Sequence, residues 1–155
     1  MDNQEALKEL IVAHVNRPRN RRQIASPTCD CVGKNPLCGD EVTLQIEIDS
    51  MSDRIKDIAF TGRGCPISQA SASIVTETCQ GMTTAKAKHL ASHLRAHITG
   101  AVDNTQLPDE LVTSWENVAQ LVSIQLNPAR IKCVTLAWHT LYHALSHVGA
   151  TETID

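Results

Sequence analysis

Residues 35–49 read N-P-L-C-G-D-E-V-T-L-Q-I-E-I-D, and the reading of this stretch decides the fold. Val42, Leu44, Ile46 and Ile48 alternate with Thr43, Gln45, Glu47 and Asp49. Successive side chains of a strand point to opposite faces, so a period of two specifies a half-buried β-strand. A cysteine, a glycine and an aspartate stand at its mouth. Asn, Pro, Gly and Asp all favour turns for backbone reasons. Cys38-Gly39-Asp40 is therefore either plain turn chemistry or part of a metal or sulfur site.

Downstream, Asp49-Ser50-Met51-Ser52-Asp53 supplies a turn, and a second strand is expected over about 54–61. Ile58 and Phe60 share one face there, while Ile55 falls on the other. Strands joined by a short turn pair antiparallel. The residues just before the first strand then lie beside those just after the second. Cys38 and Asp40 are thereby brought to the same end of the sheet as Gly62-Arg63-Gly64-Cys65. Cys65 also sits at a helix start, where unpaired N–H groups favour anions and lower a thiol pKa. The pattern places Cys38, Asp40 and Cys65 together, either as metal ligands or as loop and cap residues with local work.

Further outward the pattern is helical. Leu7, Leu10, Ile11 and His14 mark one buried face of a helix over residues 3–16, ended by Pro18. The basic run Arg17 to Arg22 reads as a solvated linker, and residues 23–41 as loop. A helix from Cys65–Ser68 to Gly81 carries small residues, Ala70 to Ser73, that allow close packing on a sheet. Another covers about 83–99, one or two short helices fall within 109–124, and a last helix runs about 128–147. That last helix should bury Ile131, Val134, Thr135, Trp138, Leu141, Tyr142 and Leu145. At 100° per residue Cys133 falls away from the Trp138–Leu141 face. The pattern thus gives one hairpin of two strands among several helices, and the length suits a single domain spanning 1–155.

Composition narrows the function. Hydrophobic residues make up 42% and aromatics only 3%, so the core is aliphatic. A net charge of −3 gives no electrostatic case for nucleic acid as the main partner. No stretch approaches a membrane span. The opening M-D-N-Q-E-A-L-K-E-L lacks the basic-then-apolar order of a secretion signal, so a cytoplasmic location is expected. Thiols stay reduced there. The six cysteines are then better candidates for ligands or reactive thiols than for a disulfide framework.

Three cysteine-bearing stretches occur in order: N-P-L-C-G-D, G-R-G-C-P-I-S-Q-A-S-A-S and P-A-R-I-K-C-V-T-L-A-W. Together they resemble the signatures of the U-type iron–sulfur assembly proteins, the IscU/SufU/NifU N-terminal-domain family. The resemblance spans nearly the whole chain and is strongest to the SufU branch. A long segment separates Cys65 from Cys133, with an insertion around 97–120. Lys132 stands where IscU proteins carry a histidine ligand. Asn127-Pro128-Ala129-Arg130 replaces the Leu-Pro-Pro-Val-Lys motif of IscU, so no dedicated chaperone partner is expected.

The resemblance implies an α+β fold of the SufE/IscU-like kind, a small antiparallel sheet of about three strands covered by helices. It also implies a Zn²⁺ site built from Cys38, Asp40, Cys65 and Cys133, and a SufS-type cysteine desulfurase as partner. It implies a zinc-dependent sulfurtransferase, with Cys38 accepting persulfide sulfur once exchange of a zinc ligand with the partner frees a cysteine. The alternative is a scaffold that assembles a transient [2Fe–2S] cluster from iron and sulfide and delivers it to apo-proteins. A purely structural zinc domain is disfavoured by an Asp ligand, because structural sites are commonly all Cys/His. Arg130, one turn before Cys133, reads as a partner for Asp40 or for thiolate charge.

Other features read more plainly. Pro66 suits the first position of a helix. Cys29 and Cys31 read as loop thiols, and Cys79 as a semi-buried structural residue. His89, His93 and His97, and again His139, His143 and His147, recur at i, i+4, i+8 and read as solvated helix flanks. His14 reads as a packed residue.

Overall fold

The computed structural model describes residues 2–101 and 106–147, and the backbone of 151–154. Three strands, β1 (Cys29–Asn35), β2 (Asp40–Asp49) and β3 (Arg54–Arg63), form an antiparallel meander, of which the β2–β3 hairpin is the part expected from the alternation. A short β4 (Thr151–Ile154) adds to the far edge, parallel to β1, giving the order β3-β2-β1-β4. Five α-helices complete the described part: α1 (Asn3–Asn16), α2 (Pro66–Cys79), α3 (Thr84–Thr99), α4 (Val112–Val118) and α5 (Ile131–Ser146). Helices α2 and α5 lie against the sheet and against each other. Helix α1 packs on α2, and α3 on α5. The fold class is the α+β arrangement expected.

Strand β1 corrects one expectation, because residues 29–35 belong to the sheet and not to a loop. Its buried face is Cys29, Cys31, Gly33 and Asn35, paired respectively with Ile46, Leu44, Val42 and Asp40. The alternation is present but is written in small and polar residues, which an apolar count passes over. Cys29 and Cys31 are accordingly core residues, each 1% exposed. Gly33 is a requirement of the packing: a Cβ there would stand 2.0 Å from the Thr140 hydroxyl of α5. Close helix-on-strand approach is a recurrent reason for glycine inside a strand.

The weak alternation of β3 also has a cause. Glu47 pairs with Asp57 but Ile48 pairs with Ile55, so Lys56 is an extra residue in a β-bulge. The slip returns Ile55 to the core beside Ile58 and Phe60, all at most 1% exposed. Burying a side chain such as Phe60 stabilises by about 2–3 kcal/mol.

The small residues of α2 do what their size suggests. Ser71 donates to the Val134 carbonyl at 2.7 Å, joining α2 to α5 where a longer side chain would hold them apart. Ser73 contacts His14 Nδ1 at 2.7 Å, so His14 is packed as expected, at 4% exposed. Helix α5 is buried on two faces: Trp138, Leu141 and Leu145 on one, Cys133, Ala137, Thr140 and Ala144 on the other. Tyr142, expected inward, is 37% exposed, with Lys88 over its ring.

Candidate metal centre

The Cys38 turn is the hairpin between β1 and β2. Asn35 pairs with Asp40, leaving Pro36, Leu37, Cys38 and Gly39 as the connection. The Asn35 carbonyl accepts from the N–H of Cys38 at 3.2 Å and of Gly39 at 2.9 Å. Pro36 fixes the second turn position, and Gly39 adopts φ +72°, a left-handed conformation that suits glycine. Cys38 and Leu37 are left on the exposed tip, while Asp40, two residues on, is 1% exposed.

Strand β3 ends beside this turn, as the hairpin argument requires. Glu41 pairs with Arg63, so Gly64 and Cys65 run on past Asp40. The Cys65 N–H donates to Asp40 Oδ1 at 2.7 Å, and its thiol lies 3.7 Å from Oδ2. Gly64 has φ +125°, and a Cβ there would fall 2.3 Å from Asp40 Oδ1. Only a bare backbone lets the two segments meet. Cys65 also caps α2, its sulfur accepting from the Ser68 N–H at 3.4 Å, with Pro66 at the first position of the helix.

Cys133 enters from α5. It was expected off the buried face; instead it is 0% exposed, because the second face of α5 is buried too. Ligand atoms of Cys38, Asp40 and Cys133 all lie within 4.8 Å of one another. Cys65 lies outside this set of three and adjoins it through Asp40. Three of the four residues named from the sequence therefore come together, with the fourth beside Asp40.

Burial, the Cys65 thiol and the Asp40 carboxylate push the Cys133 thiol up to about 12. Arg130 has its pKa raised above the usual range by its interaction with Cys133 first, and also by the charges of Cys65 and Cys38. Zinc binds thiolate sulfur at about 2.3 Å, which sets tetrahedral ligand-to-ligand edges of roughly 3.7 Å. A donor set of thiols and one carboxylate gathered within 4.8 Å suits such an ion.

The other candidates lie elsewhere. Cys29, Cys31 and Cys79 are in the core, and burial alone pushes the Cys79 thiol to about 12. The histidine stripes are solvated flanks only in part: His97 and His147 are exposed, while His89, His93, His139 and His143 are half-buried. His93 and His97 pack against Trp115 at 4.6 and 5.0 Å between ring centroids. His139 is half-buried, its pKa lowered by burial, Arg95 and His143. Two contributors had not been singled out: Asn35, which ties the turn, and Gly64, which admits Asp40. Their signals are present as Asn before Pro in a turn and as G-x-G-C after a strand.

The family model described as "NifU-like N terminal domain" matches residues 6–100. The chain belongs to this family. Its relatives include the "Iron-sulfur cluster assembly scaffold protein IscU" of Thermotoga maritima, 34% identical over 142 residues, covering 91% of this chain and 93% of that one. They also include the "Zinc-dependent sulfurtransferase SufU" of Bacillus subtilis, 31% identical over 136 residues, covering 86% and 85%. A crystal structure of an iron–sulfur cluster assembly scaffold protein for the SUF system from Fervidobacterium islandicum superposes with a TM-score of 0.75 at 30% identity. It covers 88% of this chain and 94% of its own. The chain is thus an IscU/SufU relative within the NifU-like family. No helix among the described residues is long and apolar enough to cross a membrane.

Proposed function

We propose that this protein is a zinc-dependent sulfur acceptor that takes persulfide sulfur from a SufS-type cysteine desulfurase in the cytoplasm and passes it into iron–sulfur cluster assembly. Cys38, Asp40, Cys65 and Cys133 would hold the zinc. When bound, the ion keeps thiols deprotonated at neutral pH. The observation that carries the reading is the contrast within the cluster: Cys38 is exposed on a hairpin tip, while Asp40 and Cys133 are buried.

That contrast supports a division of roles. Cys38 is the thiol a partner can reach, and Gly39 has nothing within 4 Å of its would-be Cβ, leaving the tip room to move. The Cys38 thiolate attacks the outer sulfur of the donor persulfide. The donor S–S bond breaks, the donor cysteine leaves as thiolate, and Cys38 carries the persulfide. Cys65 and Cys133 stay anchored at the starts of α2 and α5. Arg130 holds negative charge at the cluster while Cys38 is engaged. The 97–120 segment would present part of the partner surface.

A second reading is supported by the same donor set. Three thiols with one carboxylate can also receive iron and sulfide as a transient [2Fe–2S] cluster, with Asp40 the ligand that eases release. Cysteine-dependent sulfide release by a SufS-type desulfurase, with reductant, separates the two. Saturable acceleration by zinc-loaded protein, absent with zinc-free protein, supports the sulfur acceptor. No acceleration, with a cluster forming on the zinc-free protein once iron is added, supports the scaffold. Asp40→Ala should release zinc to a competing chelator at least about tenfold more readily; unchanged affinity would remove Asp40 from the ligand set.

A further inference from the structure

A second feature lies on the other side of the Cys38 turn. A cavity of about 470 Å³ opens between the β1–β2 hairpin, α3 and α5. Lys34, Arg95, Lys132 and His139 line it, together with Asn35, and no acidic residue does. Among the described residues none of Lys34, Arg95 and Lys132 is in an ion pair with a carboxylate. Positive residues from three elements thus line one cavity, with no acidic residue among its described lining.

The donors there are also unspent. Asn35 is 5% exposed and its side-chain Nδ2 is buried with no hydrogen-bond partner. Arg95 Nε and His139 Nδ1 are buried without one as well. Buried polar groups are nearly always hydrogen-bonded, and each left unmade costs about 1–3 kcal/mol. The three atoms belong to residues lining one cavity and lie beneath its surface, so an acceptor entering it would satisfy them once these side chains turn outward. His139 has its pKa lowered by burial first and then by Arg95 and His143, with no acidic group opposing them.

We propose that this cavity is a carboxylate-binding site. A guanidinium fork with an amide donor suits a planar carboxylate. Leu37 and Leu136 add an apolar wall that would take the carbon chain of an organic acid and gives nothing to a bare inorganic oxyanion. Asn35 links the site to the chemistry next to it: its side chain lines the cavity while its carbonyl holds the N–H groups of Cys38 and Gly39. Carboxylate binding therefore stiffens the turn that carries Cys38. The site stands whether the metal centre serves sulfur transfer or cluster assembly.

The test is a titration of zinc-loaded, ¹⁵N-labelled full chain, followed by amide chemical shifts at constant ionic strength with zinc content measured throughout. One arm uses sodium succinate against sodium chloride. The other uses the peptide acetyl-Gly-Glu-Glu-Gly-amide against its Gln analogue. The expected result is saturable shifts at Asn35, Cys38, Gly39, Arg95 and His139, weakened at least about tenfold by Arg95→Gln. Lys34→Gln, on an exposed side chain, serves should Arg95→Gln not fold. Saturation by succinate identifies a free dicarboxylate as sufficient; saturation by the Glu peptide alone identifies a carboxylate on a partner chain. Equal shifts with chloride or the Gln peptide, or undiminished binding in a folded variant, would overturn the proposal.

Discussion

The six cysteines divide between two regions, the sheet interior and the sheet end, and the same side chain has opposite uses in them. Cys29 and Cys31 project from β1 into the core, and Cys79 closes α2 with its thiol pushed to about 12 by burial. Cys38, Cys65 and Cys133 lie around one carboxylate, where the β1–β2 turn and the starts of α2 and α5 meet. In the interior a thiol is a small hydrophobe. At the sheet end it meets helix N-termini, other thiols and Arg130, and there the proposed function makes it a ligand or a nucleophile. What separates the two groups is which other groups the fold brings beside the thiol, and not residue type.

The sharpest way to break this comparison is Cys38→Ala. Sulfur acceptance from the desulfurase should fall to background with the circular dichroism spectrum unchanged; full acceptance would remove the exposed tip from the chemistry. Next in size is alkylation of the zinc-free protein by iodoacetamide, read by peptide mass spectrometry. Cys38 should react at least about 100-fold faster than Cys29, Cys31 and Cys79, which wait for local or global opening. Comparable rates would dissolve the division.

Gly64→Ala tests how the end region is assembled. The added methyl meets Asp40 Oδ1 at 2.3 Å in a backbone conformation that disfavours L side chains. Zinc affinity by chelator competition should fall, and stability by about 1–3 kcal/mol. Cys31→Ser probes the interior in the opposite sense. It should cost about 1–2 kcal/mol by denaturant titration, through burying a hydroxyl among aliphatic side chains, while zinc affinity stays unchanged.

A pH slope in the unsubstituted protein also tests the interior. Cys79 is raised in the fold from an ordinary 9.0 to about 12. The folded state therefore keeps a proton that the unfolded chain loses. The stabilisation is full below about pH 9 and is lost as pH rises toward 12, at most about 1.4 kcal/mol per pH unit. Cys79→Ala should flatten that slope at lower overall stability. An unchanged slope would mean that Cys79 meets water in the fold.

Much of this was legible because its physics is local. The alternation of Val42 to Ile48, the Asp49–Asp53 turn and the break at Gly62-Arg63-Gly64 specify a hairpin. A hairpin alone brings Cys38, Asp40 and Cys65 to one end. Pro66 and the helix periods placed α1, α2 and α3 nearly to the residue. The failures share a cause as well. Strand β1 carries Cys, Cys, Gly and Asn on its inner face, and no hydropathy count reads those as core. The bulge at Lys56 is set by register with β2, not by β3 itself.

By itself the sequence determined the helices, the β2–β3 hairpin and, through three cysteine motifs in order, the family and the four residues proposed as ligands. Only the tertiary structure decided that Cys133 is buried and aimed at Asp40, because that depends on α5 being covered on two faces and on Gly33 letting it lie close to β1. Only the tertiary structure gathered Lys34, Arg95, Lys132 and His139 around one cavity. Periodicity reports which way a side chain points from its own element; which charges face each other across a gap is settled when the elements pack.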